Sequence, residues 1–385
     1  MKNRFFLCFI LICFASVMNA QVKFPQKMAK RLGMGWNLGN QFDAYRNGVA
    51  DETCWGNGKV SQELFDSLSA AGVKSVRIPV TWLGHMGSSP EYTIEQKWMN
   101  RIKEVVEFAH NSKLNVILNI HHDGADSKHW LDIKRAATDS SIHDKVIQQF
   151  CAIWRQIAET FKQEGDYLIF ESFNELHDGK WGWGANKTDN GKQYAFINEL
   201  NQAFVNTIRS VGGKNSSRYL GIPGYCANID LTINNIVIPK DRKKNRLLVA
   251  VHFYDPYLYT LEAKFRQWGK LADESLRVPG SDEETIAKEL RKLFDTYTSK
   301  GMPVYIGEMG CVRRNNAEDE AIRIHYLSEV GKLCRTFHLS PFYWDNGQKN
   351  AGRECSGLID HHAGKWYNDG KEVIKAIISC PDDVE

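Results

Sequence analysis

The sequence lacks the features that would point to nucleic-acid binding or to a zinc site. Its 385 residues carry 49 Lys and Arg against 46 Asp and Glu, so the formal net charge is only +3. A strongly basic surface for nucleic acid or acidic lipid is therefore not expected. None of the nine cysteines forms a CxxC pair, the spacing typical of structural zinc sites. We expect no nucleic-acid partner and no bound metal.

Long apolar runs are also scarce, and the most pronounced one lies at the N-terminus. Lys2 and Arg4 precede an apolar stretch at 5–17, and small residues follow it. This order is typical of a secretory signal, and the stretch is too short to span a membrane. We expect residues 1–20 to be removed and residues 21–385 to be exported, to the periplasm, the cell surface or the medium. A lipoprotein anchor is the weaker alternative, because small residues precede neither cysteine of the stretch.

Cleavage would leave seven of the nine cysteines, because Cys8 and Cys13 lie in the leader. The number is odd and the spacing is irregular, so no regular disulfide framework is indicated. One or two bridges remain open in an oxidising compartment, and their connectivity does not follow from the sequence.

The mature chain is expected to form one domain and to be monomeric. No Pro/Ser/Thr-rich linker, low-complexity tract or close internal repeat interrupts residues 21–380. Short apolar runs recur along it, each followed by a polar loop and a helical pattern. The eight candidate strands are 33–36, 75–80, 115–120, 167–173, 219–222, 247–253, 304–307 and 341–344.

The segments between these strands have the periodicity of amphipathic helices. Stretches 61–72, 98–113 and 147–165 carry apolar residues at three- and four-residue spacing, and Gly72 is placed to end the first. Strand and helix alternate eight times, which favours a (β/α)8 barrel over an open sheet because eight parallel strands close naturally. Active sites of that fold lie at the carboxyl ends of the strands.

Two of those strand ends carry a glutamate: Glu175 follows the fourth candidate strand and Glu308 the seventh. A carboxyl group in such a position is held rigidly and partly desolvated. Strands four and seven lie across the barrel from each other, so the two groups can approach to about 5 Å. Such a pair suits glycoside hydrolysis with retention, in which one acid protonates the leaving oxygen and the other carboxylate attacks. A structural ion pair is the alternative for either glutamate alone.

The two roles imply different pKa values. The proton donor should have a raised pKa and the attacking carboxylate a lowered one, which gives a bell-shaped dependence of rate on pH. Arg77 is expected to keep Glu308 ionised and so favours it as the attacking carboxylate; we then expect a raised pKa for Glu175 and a lowered one for Glu308.

Neighbouring strand ends supply polar groups suited to these roles. Arg77 is expected to keep the attacking carboxylate ionised through a charge-assisted hydrogen bond, with a buried ion pair as the alternative. Asn174 is placed to bind a sugar hydroxyl, and Asn40 follows the first strand. Alternation along the sixth strand places His252 and Tyr254 on one face, where we expect the first to contact the proton donor and the second the nucleophile.

A histidine pair, His121 and His122, ends the third candidate strand and precedes Asp123. Adjacent residues of a strand point to opposite faces, so they make a poor chelating pair, and a zinc site is the less favoured alternative. Hydrogen bonding to sugar hydroxyls is the predicted role for at least one of them.

Aromatic residues are frequent, with 11 Trp, 14 Tyr and 19 Phe. Trp344 ends the last strand and would offer a flat apolar face to a sugar ring. Further candidates for the rim of the site are Trp36, Trp82, Trp181, Trp183, Tyr257 and Tyr259. Each of these alone is equally a candidate for the core, and only the cluster favours a carbohydrate cleft.

Seven short motifs occur in order along the mature chain. They are GWNLGN at 35–40, VRIPVTW at 76–82, LNIHHDG at 118–124, FNELH at 173–177, VHFYDP at 251–256, IGEMG at 306–310 and YWDNG at 343–347. In this order they resemble glycoside hydrolase family 5, the cellulase-like family of retaining (β/α)8 enzymes. The likeness is strongest to its bacterial endo-β-1,4-glucanases and xyloglucanases.

The resemblance implies that Glu175 is the acid/base and Glu308 the nucleophile. It also implies an enzyme without a metal or organic cofactor that acts on a β-glucan polysaccharide or oligosaccharide. The shell around the sugar to be cleaved would comprise Arg77, His121, Asn174, His252, Tyr254 and Trp344.

Three alternatives to a general endoglucanase remain. A xyloglucan-specific enzyme is the first, because branched chains need an open cleft made by loops. A β-mannanase and a non-catalytic glycan-binding barrel are more distant. The segments 186–191 and 260–300 match no pattern that would decide between them.

Overall fold

A closed barrel of eight parallel strands forms the centre of the molecule. The computed structural model describes residues 22–124 and 129–379, so the predicted leader at 1–20 lies outside the described residues. The strands are β1 (Gly35–Leu38), β2 (Ser75–Ile78), β3 (Asn115–Asn119), β4 (Leu168–Glu171), β5 (Leu220–Pro223), β6 (Leu247–Phe253), β7 (Val304–Met309) and β8 (Leu339–Asp345). Neighbours in the barrel are neighbours in the chain, and β1 pairs with β8 to close it. The predicted (β/α)8 fold and all eight candidate strands are confirmed.

Helices surround the barrel and connect its strands. Their bounds are 22–32, Gln62–Ala70, Gln96–Asn111, Ile133–Ala136, Ser140–Thr160, Lys192–Val211, Ile229–Asn235, Tyr257–Thr260, Glu283–Thr296, Ala317–Thr336 and Gly370–Ile378. The three predicted helical stretches are confirmed. Gly72 has a φ of +96°, a left-handed conformation that glycine adopts without strain, and it follows the first of these helices as predicted. Among the described residues, no helix is long and apolar enough to cross a membrane.

Two apolar layers hold the barrel together. The larger lies between strands and helices, where side chains such as Val76 and Ile102 pack together. The smaller fills the amino-terminal end of the barrel, where Met28 and Leu32 of the first helix meet Phe342 of β8. Because hydrocarbon plugs that end, the polar interior of the barrel lies towards the carboxyl ends of the strands.

The cysteines of the described part of the chain are not bonded to one another. Six of them are free: Cys54, Cys151, Cys226, Cys311, Cys334 and Cys355. The seventh cysteine of the mature chain, Cys380, lies outside the described residues. The bridges that the sequence left open are therefore not formed among these six.

Candidate active site

The two candidate catalytic carboxyl groups meet at the carboxyl end of the barrel. Glu308 belongs to β7, and Glu175 lies in the loop after β4. One oxygen of each lies within 4.8 Å of the other, and both lie within 4.8 Å of a ring nitrogen of His252. Retaining glycosidases hold their carboxyl groups about 5–5.5 Å apart, whereas inverting enzymes leave about 6.5–9.5 Å for a water molecule. The separation therefore fits direct attack by one carboxylate.

A bulge in β7 turns Glu308 into the barrel. Val251 of β6 pairs with Ile306, but the next residue, His252, pairs with Glu308, so that Gly307 has no partner of its own. A bulge of this kind changes which side chains face inward. Gly307 suits the position, because a Cβ there would lie only 3.1 Å from Nε2 of His252. The bulge thus brings the carboxylate and the imidazole to the same face.

Arg77 of β2 connects the polar groups of the site. Its side chain is fully buried, and Nη1 donates to Oε1 of Glu308 at 2.8 Å, which confirms the predicted contact. Nε and Nη2 donate side-on to Glu171 at 2.7 to 3.2 Å. The amide oxygens of Asn37 and Asn174 accept the remaining N–H groups at 3.0 and 2.8 Å. A buried guanidinium needs such complete pairing, and Glu171 accepts two of the five N–H groups, more than any other residue.

His252 and Tyr254 make the contacts that strand alternation predicts. Nδ1 of His252 lies 2.6 Å from Oε1 of Glu175, and the hydroxyl of Tyr254 donates to Oε2 of Glu308 at 3.1 Å. His252 also lies 3.7 Å from Glu308. The imidazole therefore stands between the two carboxylates, and Tyr254 orients the one from β7.

The electrostatics reverse the predicted order of the two pKa values. Burial alone would raise the pKa of Glu175, but the imidazole of His252 more than offsets it, so the pKa is lowered. Burial raises the pKa of Glu308, and the opposing charges of His252 and Arg77 do not cancel this effect. Burial would lower the pKa of His252, yet the two carboxylates raise it above its usual value. The prediction from roles alone is therefore wrong for the site without substrate, because the contact with His252 lowers the pKa of Glu175 while burial raises that of Glu308.

The two predicted asparagines occupy different positions. Asn174 is buried beside Glu175 in the same cavity, and Arg77 fixes its amide oxygen. Asn40 has a φ of 55°, and its carbonyl oxygen accepts from Asn57 at 3.0 Å, so it shapes the turn after β1. A contact of Asn40 with substrate stays a prediction.

His121 and His122 line the same cavity, so the prediction that they face opposite sides is wrong. β3 has ended before His121, and His122–Gly124 forms a 3₁₀ turn, in which the alternation of a strand no longer holds. The ring centroids lie 4.4 Å apart. Nε2 of His121 is 3.9 Å from Glu308, and Nδ1 of His122 donates to the carbonyl oxygen of Asp43 at 2.9 Å.

Within residues 22–124 and 129–379, two groups of side chains have the composition of a metal site. They are Asp43 with His121 and His122, and Glu175 with His252 and Glu308; within each group the ligand atoms lie within 4.8 Å of one another. The second group is the carboxyl pair with its hydrogen-bonded imidazole. In the first, Oδ1 of Asp43 accepts from the backbone N–H of Gln41, and Nδ1 of His122 is committed to the carbonyl oxygen of Asp43; burial raises the pKa of Asp43 to about 6. We therefore assign hydrogen bonding to both groups.

Trp344 lies at the end of β8, as predicted, and faces the site. Its ring is stacked with that of His121, with centroids 5.9 Å apart and planes inclined by 10°. The side chain is half-buried. An exposed, nearly flat face of this kind is what the C–H groups of a sugar ring need.

Three of the aromatic residues predicted for the rim lie in the core instead. Trp36, Trp82 and Tyr259 are fully buried, so that prediction is wrong for them. The side chain of Asn37 points into the barrel, so its neighbour Trp36 points outward and donates its indole N–H to Asp345 at 3.0 Å. This is the period-two alternation of a strand.

The other predicted rim residues are exposed. Trp181 is 58% exposed, Trp183 80% and Tyr257 49%. Trp181 lines a cavity of about 160 Å³ together with Glu175. The ring of Trp183 lies under the ammonium group of Lys187, 3.8 Å from it. These side chains are available to a ligand that extends beyond the carboxyl pair.

Sequence reasoning missed two aromatic residues of that cavity. Tyr45 and Trp55 line it, with ring centroids 5.7 Å apart, and both contact His122. They belong to the segment between β1 and β2, away from the ends of the barrel strands, so only their residue type signalled a role. Asn37 and Glu171 were also missed, although a polar residue at an inward position of an apolar strand is itself a signal.

A larger cavity, of about 740 Å³, lies away from the carboxyl pair, along the helix Gln96–Asn111. Several of its polar side chains contact one another: Arg101 pairs with Glu52 at 2.6 Å, and Nδ1 of His85 lies 2.7 Å from Glu95. We place the active site at the smaller cavity, because Glu175 lines it.

Retaining cleavage of a glycosidic bond uses two carboxyl groups at about this separation, one on each side of the anomeric carbon. The barrel therefore falls in the class of glycoside hydrolases. Residues 40–350 match the profile of the cellulase family, glycosyl hydrolase family 5. Endoglucanase A of Paenibacillus barcinonensis is 34% identical over 338 residues, which cover 83% of this chain and 82% of that protein. The chain belongs to glycosyl hydrolase family 5, which confirms the resemblance seen in its motifs.

Solved structures agree with this membership. A broad-specificity endoglucanase of subfamily 4 from Bacteroides salanitronis is 51% identical, with a TM-score of 0.90 over 92% of this chain and 94% of that one. A family 5 xyloglucanase from Paenibacillus pabuli, solved with a ligand, is 34% identical, with a TM-score of 0.84 over 91% and 99%. Both activities named by the resemblance, endoglucanase and xyloglucanase, thus occur among the relatives.

Proposed function

We propose that the protein is a retaining endo-β-1,4-glucanase that cuts internal bonds of plant β-glucans. The observation that carries the proposal is the approach of Glu175 and Glu308 to within 4.8 Å. The endoglucanases among its relatives support the choice of polymer. Glucan chains would lie along the aromatic residues at the rim of the cleft.

The reaction proceeds in two displacements. In the first, a carboxylate oxygen of Glu308 forms a bond to the anomeric carbon while the glycosidic C–O bond breaks, and Glu175 gives its proton to the departing oxygen. In the second, Glu175 takes a proton from water, whose oxygen attacks the anomeric carbon and releases Glu308. Arg77 and Tyr254 hold the nucleophile in place in both steps.

The proton for the first step comes from the contact of His252 with Glu175. In this proposal the imidazole, whose pKa the two carboxylates raise, carries the proton in the free enzyme, and the 2.6 Å contact allows its transfer to the carboxylate when substrate displaces water. In the enzyme–substrate complex the proton lies on Glu175 and His252 is neutral, so the pair holds the same number of protons as in the free enzyme. A lowered pKa of Glu175 in the free enzyme is therefore compatible with its role as the proton donor in the first step.

This arrangement predicts the pH dependence of kcat/KM. The rate falls on the acid side when Glu308 is protonated, and on the basic side when the raised pKa of His252 is passed. Replacing His252 by Asn removes the proton carrier and a positive charge beside Glu308. The basic limb should therefore move down and the acid limb up, each by about one pH unit.

Kinetics between pH 4 and 9, roughly the span in which perturbed carboxyl and imidazole groups titrate, check this prediction. The matched control is His143→Asn, because His143 also pairs with a carboxylate, that of Glu199, but on the surface. The control should keep the wild-type limbs. A profile of unchanged width in His252→Asn would contradict the proton-carrier role.

Xyloglucan specificity is the second candidate. The family 5 xyloglucanase from Paenibacillus pabuli supports it, as do the exposed rings of Trp181 and Trp183, which could contact side branches. Reducing-end release from xyloglucan, barley glucan, carboxymethyl cellulose and glucomannan separates the candidates. Turnover on the unbranched glucans supports the main proposal, and turnover on xyloglucan alone supports the second. Cleavage of glucomannan alone would indicate a mannanase, and binding without cleavage a glycan-binding barrel.

We further propose that the enzyme acts outside the cytoplasm as a monomer. The order of charges, apolar stretch and small residues in 1–20 supports export, and a polymeric substrate that cannot enter a cell agrees with it. Detection of the N-terminus at Gln21 in the exported protein, with a monomer mass in solution, tests both points.

A further inference from the structure

Glu171, the last residue of β4, is a buried carboxylate that the proposed reaction leaves without a role. It is 1% exposed and accepts hydrogen bonds on both oxygens. Arg77 donates to it side-on, Asn119 donates at 2.9 Å, and the hydroxyl of Tyr305 donates at 2.6 Å. Burial would raise the pKa of Glu171, but Arg77 more than offsets this, so its pKa is lowered and the group is ionised.

The surroundings of Glu171 are built to hold it in one position. The Tyr305 hydroxyl reaches it across Gly221, where a Cβ would lie 2.1 Å from the hydroxyl oxygen. Asn119 is fully buried and also contacts His121 through its amide nitrogen. Strands β2, β3 and β7 therefore each supply a donor that holds this carboxylate of β4 in position.

The guanidinium of Arg77 divides its N–H groups unequally between two carboxylates. Nε and Nη2 face Glu171 in the side-on arrangement, which is the stronger geometry. Glu308 receives one N–H, from Nη1, and the other N–H of that nitrogen goes to Asn37. The positive charge of Arg77 is thus shared, and Glu308 is stabilised by only part of it.

We propose that Glu171 is a positioning residue that fixes Arg77 and withholds part of its charge from the nucleophile Glu308. A carboxylate paired fully with arginine is a weak nucleophile, because its electron pairs are committed to the N–H groups. One that lacked the arginine would remain protonated in a buried site. Sharing Arg77 gives an intermediate condition, which suits a group that must attack the anomeric carbon and later leave it. The inference rests on the proposed role of Glu308.

Other charged or titratable groups face Glu308 from the strands around it, and they stay unchanged when Glu171 is altered. They are Arg77 on β2, His121 after β3 at 3.9 Å, Glu175 after β4, His252 on β6 at 3.7 Å and Tyr254 after β6 at 3.1 Å. Removing the charge of Glu171 leaves Arg77 to act on Glu308 alone. The pKa of Glu308 should then fall.

The experiment uses a probe that reports on Glu308 without the acid/base. In a 2,4-dinitrophenyl 2-deoxy-2-fluoro-β-cellobioside, the Glu308 oxygen bonds to C1 while the aryl C–O bond breaks, and the phenolate leaves without a proton. The 2-fluorine slows release of the covalent intermediate, so the rate of inactivation can be followed against pH. In wild type its acid limb reports the ionisation of Glu308.

Glu171→Gln should move this acid limb down by about one pH unit, because the like charge is gone and the arginine is no longer shared. The maximal inactivation rate should fall as well, since the nucleophile is weaker. Glutamine can still accept from Arg77 and Asn119, so the shape of the site is kept. A slower enzyme with an unmoved acid limb would show a purely structural role and overturn the inference.

Tyr305→Phe is the second variant. It tests the proposed role of Glu171 even if Glu171→Gln does not fold. Loss of the hydroxyl leaves the Glu171 charge less compensated, so Arg77 is drawn further towards it. The acid limb should then move up by about 0.3 pH unit, the opposite direction. If the substitutions only made the site less ordered, the acid limb would move in the same direction in both variants. An unmoved acid limb in Tyr305→Phe would also contradict the inference.

Mass analysis of the inactivated protein separates this inference from the proposed function. A label on Glu308 in wild type upholds the function, and the two variants then test Glu171. Absence of a label on Glu308 in wild type would overturn the proposed function itself, and with it the inference.

Discussion

Glu308→Gln should lower kcat/KM on soluble β-glucans by about 10⁴-fold or more, the scale of loss for a catalytic nucleophile. Glutamine keeps the shape of the side chain and still accepts from Nη1 of Arg77, so the fold should be unchanged. It cannot form the ester to the anomeric carbon with comparable ease. The loss should therefore appear in kcat with little change in substrate affinity.

Reducing-end assays together with binding measurements on the same glucan check this expectation. Glu199→Gln is a suitable control, because Glu199 is a half-exposed carboxylate that pairs with His143 on the surface, and it should keep full activity. Wild-type turnover by the Glu308 variant would remove that residue from its assigned role.

Glu175→Ala should show a loss that depends on the leaving group. With natural glucans, whose leaving sugar needs a proton, the first step should slow by about 10²–10⁴-fold. With a dinitrophenyl cellobioside, the first step needs no acid, so its rate should stay near that of wild type. The second step then limits, because no base remains to activate water.

Azide tests the second step in the same Glu175→Ala variant. A small anion can enter the space left by the Glu175 carboxyl group and attack the covalent intermediate without a base. Azide should therefore restore turnover of the aryl cellobioside and give the β-glycosyl azide as product. An equal loss on both kinds of substrate, with no rescue, would contradict the acid/base assignment.

The barrel and the inner shell follow from local features of the sequence. Each strand is an apolar run, and the carboxyl ends of parallel strands must lie at the same end of a barrel. These two features alone predict that five side chains lie together: Glu175, Glu308, Arg77, His252 and Tyr254. Period-two alternation along the sixth strand predicts that His252 and Tyr254 share a face, and that face is the one turned to the two carboxylates.

The errors arose where alternation was overlooked or interrupted. Trp36 precedes Asn37 on β1, and since the asparagine points inward the tryptophan had to point outward. His121 and His122 were treated as strand residues, but the strand has ended before them. The bulge at Gly307 was not foreseen either, because it depends on the register between β6 and β7.

The pKa order could not be derived from roles, because it depends on how neighbouring charges are shared. Arg77 was expected to serve Glu308, but its side-on pair is with Glu171. His252 was expected to contact Glu175, yet its charge also determines where the proton resides. Adding up the effects of neighbouring charges on a pKa requires the distances between groups that are far apart in the chain.

The stereochemistry of the first product tests the central claim most directly. Proton NMR of a cello-oligosaccharide digest, recorded within minutes of adding enzyme, distinguishes the two anomers before mutarotation mixes them. Carboxyl oxygens within 4.8 Å of each other predict that the β-anomer appears first, since two displacements restore the configuration. Initial release of the α-anomer would mean a single displacement by water, for which this site has no room.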